Sequence, residues 1–76
     1  MIQVTIGNNV KKENKIFDAN TTLRNALEEA GIDYTIGITS LDGASLNAGD
    51  LDKTFADFGI IEKCFLINVF KADNAA

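Results

Sequence analysis

The sequence predicts an α+β fold, a mixed sheet of four to five strands packed on a single α-helix. Three observations carry that prediction. Ile2, Val4 and Ile6 alternate with Gln3 and Thr5, the period-two pattern of a strand with one buried face. A single segment, beginning after Asn20, has helical spacing behind a row of N-cap residues. Residues 64–70 form a near-continuous apolar run, which reads as a strand buried on both faces.

Length and composition narrow the options further. Seventy-six residues make one domain, expected over 1–71 with a flexible tail at 72–76. A chain this short buries only about 60% of the surface its unfolded form exposes, so one helix and one sheet must supply the whole core. With 46% hydrophobic and 24% charged residues, the composition is that of an ordinary globular domain. One cysteine and no histidine exclude an internal disulfide and a Cys/His zinc site. No apolar run approaches the roughly 18–20 residues of a membrane span, and no basic segment leads into an apolar one at the N-terminus. A cytoplasmic location is the expectation.

The elements follow in order. After the first strand, Gly7-Asn8-Asn9 supplies residues that tolerate positive φ, and a second strand over residues 10–17 closes a hairpin. Its lysines are expected to guard an edge against pairing with another chain. Asn20, Thr21 and Thr22 are candidate N-caps for a helix whose Leu23, Ala26, Leu27 and Ala30 share one face. Gly31 fits the left-handed position that ends it, folding Ile32 back on Leu27. Tyr34, Ile36 and Ile38 alternate as a third strand, and Asp42-Gly43 marks a tight turn into a fourth near Ser45-Leu46. Residues 47–53, polar apart from Leu51, read as a surface loop. Thr54-Phe55-Ala56-Asp57 has capping-box spacing and predicts a short helical turn near 54–58, pinned by Phe55 and Phe58.

This ordered set resembles ubiquitin and its β-grasp relatives over nearly the full length. The markers are the threonine-capped helix after the first hairpin, the glycine ending it, Asp42-Gly43 before Leu46, and Thr54-x-x-Asp57-Phe58-Gly59-Ile60 before the last strand. The resemblance implies a β-grasp (ubiquitin-like) fold in which the first and last strands lie parallel in mid-sheet, and it suggests a bacterial protein. Conjugated modifiers and sulfur carriers of that family react through a C-terminal Gly-Gly. This sequence reads Ala75-Ala76 with no glycine after Gly59, so that activity is disfavoured. Ser40 stands near the place of ubiquitin's exposed isoleucine, so the usual ubiquitin receptors are not expected to bind.

The residues offer little chemistry. Without histidine, catalysis would fall to carboxylates, lysines, Tyr34 or Cys64, and Cys64 reads as a small hydrophobe. No catalytic constellation, cofactor or metal is expected. Asp42, Asp50, Asp52 and Asp57 lack EF-hand spacing and suit turns and caps. Net charge is −4, with Lys11, Lys12, Lys15 and Arg24 against Glu13 and Asp18 in residues 1–27, and nine acids against three lysines thereafter. Nucleic-acid binding would have to use the Lys11/Lys12/Lys15 hairpin, which Glu13 interrupts, and is disfavoured. Glu28 and Glu29 oppose the macrodipole at the helix end; solvation of that end is the expected role, and recognition of a partner is the alternative.

The remaining expectation is a monomeric, non-enzymatic interaction module or accessory subunit whose protein partner is not named by the sequence. If Phe65, Ile67 and Val69 face the helix, then Leu66, Asn68 and Phe70 join Gln3 and Thr5 on the open face of the sheet as the partner-binding set.

Overall fold

The computed structural model describes residues 1–70. Residues 71–76, which hold the expected tail and the end at which a modifier would react, lie outside the described residues. Five strands, β1 (Ile2–Asn8), β2 (Lys12–Phe17), β3 (Ile38–Leu41), β4 (Ala44–Ser45) and β5 (Lys63–Val69), form one sheet in the order β2-β1-β5-β3-β4. β1 and β5 are parallel, and the other neighbours are antiparallel. One helix, α1 (Leu23–Glu29), covers one face, so the architecture is a small α+β fold with a mixed sheet. Among the described residues no helix is long and apolar enough to cross a membrane.

Local chemistry explains each boundary. Thr22 caps α1 by accepting the Asn25 N–H at 3.2 Å. At the other end Gly31 adopts φ +73°, and the Ile32 and Gly31 N–H groups donate to the Leu27 and Glu28 carbonyls at 2.9 and 3.1 Å. That pair of bonds is the Schellman motif, and it turns Ile32 into the core. The β3–β4 turn places Asp42 and Gly43 at φ 51° and 89°, the double positive φ that a two-residue hairpin turn requires. Thr54 and Asp57 exchange hydrogen bonds around the turn Ala56–Phe58, at 2.9 and 3.1 Å. Phe55 beside it is fully buried and stacks on Phe17 with ring centroids 6.0 Å apart.

Two segments differ from the sequence expectation. Residues 47–53 contain a 3-10 turn, Ala48–Asp52, where the Asp50 carboxylate accepts the Asn47 N–H at 3.0 Å and Leu51 is buried. One apolar residue in a single turn leaves no period to read. β3 begins only at Ile38, because Asp33 accepts the Thr35 N–H at 3.0 Å and Gly37 takes φ +69°, which bends the chain before it can pair.

The larger correction concerns the facing of β5. Leu66 and Asn68 are fully buried, and Cys64 nearly so, all on the helix side with Val4 and Ile6. The parallel register aligns Val4 with Cys64 and Ile6 with Leu66, and side chains paired in register share a face. The set expected on the open face therefore keeps Gln3 and Thr5 but loses Leu66, Asn68 and Phe70. Phe70 follows the strand with the same parity as Leu66, is half-buried, and donates its N–H to Asn9 Oδ1 at 3.2 Å.

Candidate functional site: the open sheet face

The register that buries Leu66 sends Phe65, Ile67 and Val69 outward. Thr5 lies beside Phe65 and Gly7 beside Ile67 across the parallel pair, while Ser40 and Ile38 stand opposite Ile67 and Val69 across β3·β5. On the other flank Gln3 and Thr5 pair with Ile16 and Asn14 of β2. The outcome is an apolar stripe on β5 and β3, with Ile16 of β2 set apart from it by Gln3, Thr5 and Gly7 of β1. Ile16, Phe65, Val69 and Ile38 are 61%, 56%, 52% and 59% exposed, well beyond what scattered surface hydrophobes need.

The stripe has a defined rim. Lys12 and Lys63 share this face by register with Gly7 and Gln3, and no strand residue on it is acidic. A shallow hollow of about 450 Å3 lies along Gln3, Thr5, Asn14, Ile16 and Phe65. Thr5 donates its hydroxyl to Asn14 Oδ1 at 2.8 Å, which fixes both side chains at the floor of that hollow. The Phe65 N–H donates to Asp42 Oδ1 at 2.8 Å and its carbonyl accepts the Asp42 N–H at 2.8 Å, so the β3–β4 turn anchors the backbone under the ring.

Opposite faces divide the lysines of the first hairpin. Lys12 is on the open face, whereas Lys15 is aligned with Val4 on the helix side and lies 3.8 Å from Glu13. They do not form one concentrated basic surface of the kind that displaces counterions from nucleic acid.

The remaining candidates have structural partners. Burial, then the charge of Asp42, pushes the Cys64 thiol up to about 11, far from a reactive thiolate. Glu28 accepts the Tyr34 hydroxyl at 2.6 Å, which fastens the residue 33–37 turn to the helix. Arg24 donates to Asp52 at 2.9 Å and lies 5.3 Å over the Tyr34 ring, and the bond to Asp52 followed by the Tyr34 contact raises its pKa. Asp18, Asn20, Thr21, Asn25, Glu28 and Glu29 line an open acidic hollow. Among the described residues no group of three or more acids or thiols is placed to hold a metal ion. Asn68, expected on the surface, instead donates from its buried amide to the Ile36 carbonyl at 2.9 Å and to Thr39 Oγ1 at 3.0 Å.

Sequence reading missed Phe65, Ile67 and Val69 because every position from 64 to 67 is apolar, so alternation alone cannot orient the strand. A signal was present one position earlier. Lys63 has the parity of Phe65, and a charge at the start of β5 belongs on the open side. No protein-family model matches the chain, and no curated protein shows significant sequence similarity to it.

Proposed function

We propose that the chain is a ubiquitin-like domain of β-grasp type that serves, in a bacterial cytoplasm, as a small non-enzymatic interaction module or accessory subunit. The topology supports the fold: a first hairpin, one helix, and a last strand parallel to β1 at the centre of the sheet. The observation that carries the function is the stripe of Phe65, Ile67, Val69 and Ile38, contiguous in register and over half exposed at three of its four positions. Fold alone would not choose among carriers, modifiers and adaptors.

The chemistry of the face favours one kind of partner. Its strand residues include two lysines and no acid, with the Asp42 carboxylate of the adjoining turn bonded to the Phe65 N–H, in a chain whose net charge is −4, so the face is less negative than the rest of the molecule. A protein surface with an apolar anchor and an acidic rim complements it, while a basic partner is drawn to the helix side.

The test is affinity capture on the wild type, Phe65→Ser and the Lys12→Glu/Lys63→Glu pair, each checked for an unchanged melting temperature. A protein retained by the wild type, lost with Phe65→Ser, and weakened by the lysine reversal and by salt is the expected result. Identical captured proteins on all three would remove the open face as a binding surface.

A further inference from the structure

We infer that the free edge of β2 pairs with the same edge of a second copy, giving a symmetric antiparallel dimer centred on Asn14. Hydrogen-bond phase supplies the first part of the argument. The Asn8 N–H donates to the Lys11 carbonyl at 2.8 Å, so Asn8 and Lys11 are a hydrogen-bonded pair at the head of the β1–β2 hairpin. Antiparallel pairs alternate in kind, so Glu13, Lys15 and Phe17 turn their backbone groups toward β1. Lys12, Asn14 and Ile16 then turn theirs outward, and among the described residues no further strand lies beside β2 to receive them.

Charge selects the register. A two-fold axis normal to the sheet must lie midway between the two copies of one β2 residue, so that every facing pair has the same parity and its side chains share a side. Centring on Glu13 sets glutamate against glutamate, and centring on Lys15 sets lysine against lysine, each opposing like charges directly across the junction. Centring on Asn14 instead sets Glu13 against Lys15 of the second copy, twice. The Glu13–Lys15 pair already present in each chain at 3.8 Å then joins a ring of four alternating charges. In the same register the outward backbone groups meet: Asn14 with Asn14, and Lys12 with Ile16 of the second copy. Ile16, 61% exposed in the single chain, gains the aliphatic stem of that lysine as cover. Lysines on an edge repel an arbitrary strand, but with Glu13 between them the repulsion is specific to register, and one register is attractive.

The junction takes up Lys12 and Ile16 at the β2 end of the open face and leaves Phe65, Ile67, Val69 and Ile38 free, so a partner seated on those four does not compete with it. The experiment is sedimentation velocity over a micromolar-to-millimolar series on the wild type, Lys15→Glu, and the double reversal Glu13→Lys/Lys15→Glu, with the fold of each checked by circular dichroism. The wild type should approach twice the chain mass, Lys15→Glu should remain at the chain mass, and the double reversal should recover the dimer. Amide exchange supplies a second reading: the Lys12, Asn14 and Ile16 N–H groups should gain protection as concentration rises. A wild type at the chain mass throughout overturns the inference and leaves the edge open to the strand of a different protein. Dimerisation of Lys15→Glu to the same extent as the wild type overturns the register.

Discussion

Leu66→Ala tests which way β5 faces. Leu66 is fully buried beside Ile6 and opposite Leu41, under α1. The substitution removes three carbon groups worth about 0.8 kcal/mol each in transfer from water. The cavity left behind adds to that, and large-to-small changes of this kind cost about 2–5 kcal/mol. For a domain of this size each kcal/mol moves the melting temperature by about 4–8 °C, so a fall of roughly 8 °C or more is expected. Thermal and urea unfolding followed by circular dichroism read this directly, and an unchanged urea slope would show that the same surface is exposed on unfolding. Phe65→Ser is the matched control one residue away. Its side chain is more than half exposed, so its stability should stay within about 0.5 kcal/mol of wild type. A Leu66→Ala protein melting within a degree or two of wild type, beside a Phe65→Ser protein that unfolds, would reverse the strand and refute the reasoning.

Leu27→Ala removes a buried leucine whose carbonyl receives the Ile32 N–H, and should cost about 2–5 kcal/mol in the same unfolding assay; a wild-type melting temperature would place Leu27 outside the core. Cys64 should resist iodoacetamide at neutral pH until the chain is unfolded, and rapid alkylation of the folded protein would contradict its burial. The N–H of Asn47 holds the Asp50 carboxyl below its ordinary value of 3.8, with a smaller contribution from Lys53. A carboxyl depressed in the folded state contributes stability above its unfolded value and loses it as the pH falls through the folded one. The melting temperature of Asp50→Asn should therefore fall less steeply with acid below 3.8 than that of the wild type, and parallel curves would show that the turn gains nothing from this charge.

Legibility followed the reach of each interaction. Thr22, Gly31, Asp42-Gly43 and Thr54/Asp57 act through partners within a few residues, so spacing was enough to find the helix, its end, the tight turn and the last 3-10 turn. The Ala48–Asp52 turn is just as local, but its cap is Asn47 with Asp50 and its one apolar residue is Leu51, a pattern shared with many polar loops. The facing of β5 depends on a partner about sixty positions away in sequence, and a strand apolar on both parities hides that choice. Asn68 deepened the error, because a polar residue on the core side looks like a surface residue until its bonds to Ile36 and Thr39 are seen. Of the expected binding set, Gln3 and Thr5 were legible because β1 alternates cleanly. Lys63 would have oriented the rest.

The open face and the acidic end of α1 make opposite claims about where a partner sits. Backbone-amide chemical-shift mapping separates them, using the labelled chain and the protein that it captures. The account predicts shifts at Thr5, Phe65, Ile67, Val69 and Ile38, with α1 unchanged. Shifts confined to Glu28, Glu29 and their neighbours would contradict it and move the interaction to the helix end.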